Sequence, residues 1–193
     1  MSSGVTRDRT LRVEATATVA FLLLAPLLSP IVRPADPQAR SPSEYEVKAA
    51  FVYNFARFIE WPPEAYPDGA APLVVCVLGD DPFRGALDEV LRGKSAQGRA
   101  LATRRLRWGQ DVQGCHILYV SPSERARLGQ ILENVRGQSI LTIGDTDGFA
   151  QLGGIVNFVL EDGKVRFEIN PESAGRARLR ISSRLLTLAR IIR

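Results

Sequence analysis

The sequence predicts an α/β fold of three layers: a mainly parallel sheet with helices on both faces, closed by a C-terminal antiparallel β-hairpin. Three observations carry this expectation. The runs LVVCVL (Leu73–Leu78) and HILYV (residues 116–120) are apolar without alternation, as strands covered on both faces are. Stretches with helical spacing separate such runs, which implies crossover connections and a parallel sheet. The stretch GGIVNFVLEDGKVRFEIN (residues 153–170) places two β-rich runs around Asp162-Gly163, a dipeptide suited to the positive φ angles of a two-residue hairpin turn.

Taken in order, residues 1–39 read as a secretory signal segment and linker. Arg7, Arg9 and Arg12 precede the apolar run ATATVAFLLLAPLL, a basic region followed by a short hydrophobic one. The run is short for a bilayer span and contains Pro26. It is either cleaved near Ala35 or Ala39 or kept as an N-terminal anchor; both place the rest of the chain outside the cytoplasm. Residues 29–42, rich in Pro, Ser and Ala, read as the linker.

A single domain is expected over residues 40–193. Ser43 and Glu46 form a capping box for a helix reaching about Glu60, where Pro62-Pro63 stops it. Val47, Phe51, Phe55 and Phe58 form one stripe at helical spacing, with Tyr53, Asn54 and Trp61 off it. A helix over residues 82–91 follows the first strand. Residues 99–108 and 116–120 make the next strands, and a helix reaches about Val135. Residues 139–143 form a fourth strand, and residues 149–152 a helical turn before the hairpin. In the hairpin Leu160 opposes Val165, Phe158 opposes Phe167 and Val156 opposes Ile169. The other face pairs Glu161 with Lys164, Val159 with Arg166 and Asn157 with Glu168. A one-residue slip would turn the apolar set to water, so the register is strongly specified. Pro171 suits the first position of a helix, and Ser182 or Ser183 caps a last helix carrying Leu185, Leu186, Ala189 and Ile192.

Charge and motifs narrow the function. Four of the 25 Lys+Arg and three of the 21 Asp+Glu precede residue 40, leaving 21 against 18. The arginines are dispersed, and no aromatic-interleaved basic motif is present, so no nucleic-acid partner is expected. The strand ends offer Asp80, Asp81, Ser121, Asp145 and Asp147, an acidic mouth without a glycine-rich phosphate cradle. His116 is the only histidine, which removes HExxH-type metal sites. It has no nucleophile elbow nearby, so it reads as a strand histidine rather than a triad member. No catalytic residue, metal or cofactor is expected. Cys76 and Cys115, in an oxidising compartment, are either a disulfide closing a loop of about 40 residues, worth roughly 4 kcal/mol, or two buried thiols.

Several stretches together resemble the YfiR family of small periplasmic proteins: VKAAFVYNFARFIEWP (residues 47–62), LVVCVLGDDPF (73–83), CHILYVS (115–121), GQSILTIGDTDGFAQLGGIVNFVLEDGKVRFEIN (137–170) and LRISSRLLTLARII (179–192). The resemblance implies a three-layer α/β domain, dimeric, with Cys76 and Cys115 matching an internal disulfide. A second cysteine pair of some members is absent, since residues 156–160 hold none. It further implies repression: the protein binds the periplasmic sensor region of an inner-membrane diguanylate cyclase, lowering cyclic-di-GMP and biofilm output. The partner surface is expected on Arg166, Glu168 and Asn170 of the hairpin, read as exposed, with Tyr53 and Trp61 as aromatic anchors. Alternative readings are a small-ligand binder using the acidic mouth, a sensor-kinase-associated protein, or a hydrolase using Asp80, Asp145 or His116.

Overall fold

The computed structural model describes residues 42–192, and the signal segment and linker expected over residues 1–39 lie outside the described residues. The described chain runs α1 (Glu44–Phe58), β1 (Ile59–Glu60), a 3-10 turn (Pro63–Ala65), β2 (Leu73–Leu78), α2 (Ala86–Leu91), β3 (Ser95–Ala96) and β4 (Arg99–Leu106). It continues with β5 (Ile117–Val120), a 3-10 turn (Pro122–Arg127), α3 (Leu128–Asn134), β6 (Leu141–Gly144), β7 (Val156–Glu161), β8 (Lys164–Ile169), α4 (Pro171–Arg176), β9 (Arg180–Ile181), α5 (Ser183–Leu186) and β10 (Arg190–Ile191). The main sheet has the order β10-β8-β7-β6-β5-β2-β4-β3. Its centre, from β4 through β7, is parallel, and β7 and β8 form the antiparallel hairpin.

Alternating side chains of the central strands feed two cores. Leu73, Val75 and Val77 of β2 join Ile117, Tyr119, Leu141 and Ile143 against α1 and α2. Cys76 and Leu78 point to the opposite face, where Leu118 and Val120 meet Leu128, Ile131 and Leu132 of α3. Both faces are therefore buried, which is why these strands read as unbroken apolar runs.

The capping box is present in full, with the Ser43 hydroxyl accepting from the Glu46 N–H and the Glu46 carboxylate returning the bond. Helix α1 ends at Phe58 rather than Glu60, because Ile59 is extended and pairs with Ile181. The expected phenylalanine stripe is shifted. Phe55 is fully buried, but Phe51 and Phe58 are half-buried, and the other buried positions of α1 are Lys48, Ala49, Val52 and Ala56. The small side chains of Ala49, Val52 and Ala56 let the helix lie close on the sheet, which pushes Phe51 and Phe58 to its flanks.

The hairpin has the register read from the sequence, from Val156 opposite Ile169 to Glu161 opposite Lys164. Asp162 and Gly163 both take positive φ, +50° and +71°. The tail departs from expectation. Ser182 caps α5, but that helix ends at Leu186, and Arg190–Ile191 pairs parallel to β8 instead of continuing it. The open edge of β8 supplies the backbone partners, and the Ile192 N–H donates to the Ile169 carbonyl at 2.8 Å. The helix expected up to Val135 is a 3-10 turn followed by the short α3.

Candidate partner-binding surface

The segment between β6 and β7 folds back over the base of the hairpin. Phe149, fully buried, is clamped between Gly144 and Gly154, where a Cβ at either position would lie 2.2 Å from its ring. This fold-back buries hairpin side chains that the sequence suggested were free. Glu168 is 2% exposed, and its carboxylate accepts from Asn157 Nδ2 at 3.2 Å and from Arg190 Nε at 3.0 Å. Arg190 reaches it because β10 places Arg190 directly beside Glu168. Asn170 is 8% exposed; its Oδ1 caps α4 through the Ser173 N–H at 2.9 Å, and its Nδ2 donates to the Ala150 carbonyl at 3.0 Å. The expectation that Glu168 and Asn170 are exposed is therefore corrected: both are held inside the fold by groups distant in sequence.

Trp61 is corrected in the same way. It is 7% exposed, and its Nε1–H donates to the His116 carbonyl at 3.1 Å. Tyr53 is half-buried, with the Lys94 ammonium 4.6 Å from its ring centre and the Arg57 guanidinium at 5.6 Å. Arg166 is exposed. Lys94 adjoins β3 at one end of the sheet, while Arg166 lies on β8 near the other, so the five residues do not form one patch.

An apolar outcrop at the hairpin tip was not foreseen. On the face covered by α1, Phe158 and Phe167 are buried beneath Phe51 and Phe55, with the Phe51 ring 5.3 Å from Phe167 and the Phe55 ring 5.2 Å from it. Beyond Phe51 the cover stops. Leu160 is 53% exposed and its partner Val165 is half-buried, while Ile191, 42% exposed, lies beside Ile169 at the base of the hairpin. Leu188, just before β10, is 67% exposed. The regular alternation of the hairpin was visible in sequence; the length of its cover was not.

Two carboxylates of the acidic mouth, Asp145 and Asp81, are each paired with a cation. Lys48 of α1, 1% exposed, lies across the end of β6 with its Nζ 2.6 Å from Asp145 Oδ2 and paired with Glu44. The same Asp145 oxygen accepts from the Tyr45 hydroxyl at 2.9 Å and the Tyr119 hydroxyl at 3.1 Å. Burial and then the neighbouring carboxylate push the Tyr45 hydroxyl up to about 12 and raise Tyr119 further. Asp81 is held by Arg105 at 2.7 Å. No group of three or more His, Cys, Asp and Glu side chains suited to a metal occurs among the described residues.

Cys76 and Cys115 are joined, with Cα atoms 5.8 Å apart, tying β2 to the segment leading into β5. Their buried sulfurs belong to the α3-side core, and Arg104 Nη2 lies 3.0 Å from the Cys115 sulfur.

The geometry defines a mainly parallel α/β domain with a disulfide on its α3-side face and an incompletely covered hairpin end. The chain belongs to the YfiR/HmsC-like family, whose family model matches residues 45–190 of the 193. That family is periplasmic, and regulatory rather than catalytic. No helix among the described residues is long and apolar enough to cross a membrane.

Proposed function

We propose that this protein represses an inner-membrane diguanylate cyclase by binding that enzyme's periplasmic sensor region, which lowers cyclic-di-GMP and biofilm formation. Membership of a regulatory periplasmic family supports the reading. The observation that carries it is the uncovered end of the hairpin, where the exposed Leu160 and the half-buried Val165 form a small apolar patch on one face and the exposed charges Glu161, Lys164 and Arg166 turn to the other. Such an arrangement of apolar patch and neighbouring charge suits a protein partner. Residues 1–39 act as the export signal and linker, and sequencing the N-terminus of the mature protein tests this.

Within the five-residue set, Arg166 is the accessible contact at the hairpin end, Tyr53 lies apart from it near the other edge of the sheet, and Trp61, Glu168 and Asn170 act by holding the fold in shape. The protein also acts as a homodimer in this reading, to be checked by light scattering of the purified chain. The deciding experiment measures binding of the cyclase's sensor region to Leu160→Asp and Arg166→Glu variants, alongside cellular cyclic-di-GMP. Leu160→Asp weakens binding about 30-fold, the scale of an interface hot spot. Arg166→Glu slows association in a salt-dependent way. Wild-type affinity in both variants would remove the proposal.

A further inference from the structure

His116 sits at a junction that the repressor reading does not use. Its ring is buried, 3% exposed, just ahead of β5. Nδ1 accepts from the Val74 N–H at 3.1 Å, and Nε2 lies 3.1 Å from the Ala65 carbonyl. A backbone N–H can only donate and a carbonyl can only accept, so these partners admit one form of the ring: neutral, with the proton on Nε2. The Tyr66 ring stacks on the imidazole with centroids 4.5 Å apart. The Arg99 guanidinium lies 3.7 Å from the centre of the Tyr66 ring, and its Nη1 donates to the carbonyls of Asp68 at 3.0 Å and Ala71 at 2.7 Å. The Trp61 indole, as described, bonds the His116 carbonyl.

These contacts converge on one segment. Residues 61–72 form a strap joining β1 to β2, and Trp61, Ala65 and Tyr66 all fasten it to His116. Besides the His116 ring, Arg99 and the buried Trp61 hold the strap, which has little regular structure of its own. Its only helical element is the 3-10 turn Pro63–Ala65, which has no buried residue, and the buried Tyr66 hydroxyl has no hydrogen-bond partner among the described residues.

We propose that His116 is an acid-sensitive latch: protonation at Nδ1 sets two N–H groups against each other at Val74 and releases the 61–72 strap from the start of the sheet. The charged and titratable groups facing the ring are Tyr66, on the strap, and Arg99, behind it on β4. Val74 of β2, Leu141 of β6 and the disulfide-bonded Cys115 present no titrating group to it. A second positive charge next to Arg99 adds repulsion to the lost bond. Burial first, and then Arg99, lowers the affinity of this ring for a proton, while the Ala65 bond raises it without reversing the direction. With the closed-state value below the ordinary one, the latch's stabilisation is complete above about pH 6.5 and is lost as the pH falls.

The chain has one histidine, so its ring can be followed without ambiguity. Hydrogen exchange of the strap amides is measured on the mature protein at pH 7.5 and 5.0, corrected for intrinsic rates, together with an NMR titration of the His116 ring. The opening equilibrium of residues 61–72 rises several-fold at the lower pH, with a ceiling of about 30-fold set by an ordinary histidine. In His116→Gln, whose amide bonds the same backbone groups without titrating in this range, the rise disappears. A strap equally protected at both pH values overturns the latch, as does loosening that persists in His116→Gln. Should that variant fail to fold, the wild-type ring decides: a midpoint at or above the ordinary value of about 6.5 overturns the proposal.

Discussion

Lys48 joins the first helix to the end of the fourth parallel strand. Its ammonium is enclosed by Glu44, Asp145 and the faces of Tyr45 and Phe158, the ring centres 4.6 and 5.8 Å away. A buried charge is tolerated only when its partner is present, so removing the cation leaves the Asp145 carboxylate short of compensation. Lys48→Met should therefore cost about 3 kcal/mol, measured as a lowered urea midpoint with an unchanged slope. The two tyrosine hydroxyls that remain on Asp145 keep the loss at the lower end of the range for broken buried pairs. The Glu44 pairing follows from i,i+4 spacing, but the Asp145 pairing and the burial were not legible in the sequence. Lys48 lies within a helix and looks like an ordinary solvated lysine, and Asp145 is 97 residues away. Glu168 gave the opposite error: alternation placed it correctly opposite Asn157, but alternation does not reveal that a loop and an edge strand close over that face.

The hairpin shows how much local chemistry can specify at the scale of an element. Asp162-Gly163 supplies the turn, and every expected cross-strand pair is present. Gly163 has nothing within 4 Å of where a Cβ would stand, so its role there is conformational. Gly163→Val should cost about 1–2 kcal/mol from left-handed strain alone, read as a lowered denaturation midpoint. Glycines 144 and 154 are needed for a different reason, since the Phe149 ring occupies the space a side chain would take. The α5–β10 tail shows where local reading fails. Leu185, Leu186, Ala189 and Ile192 have helical spacing, yet the chain turns into an edge strand after Leu188, because the exposed rim of β8 offers hydrogen bonds that a further helical turn could not match.

Across the whole molecule, the disulfide and the two-sided core act together. The bridge spans a sequence separation of 39 and crosses from β2 to the entry of β5, strands that are neighbours in the sheet. It limits the unfolded chain more than it shapes the folded one. The double variant Cys76→Ala, Cys115→Ala should lose about 4 kcal/mol in a denaturant titration while keeping a native circular dichroism spectrum. The hairpin end at Leu160 lies away from that bridge, so partner binding can be measured separately from it, whereas His116 directly follows Cys115 and bonds Val74 of the bridged strand, so the acid response is measured with the bridge intact. The sequence by itself determined the strand and helix alternation, the hairpin register, the capping of α1 and the family, because each depends on neighbours in the chain or on short motifs. Only the tertiary structure decided which polar groups are enclosed, where the cover of the hairpin ends and what fastens the strap. Those outcomes depend on separate segments meeting in space, 20 residues apart for Asn170 and Ala150 and 97 for Lys48 and Asp145, and burial is a property of that meeting, which no local pattern encodes.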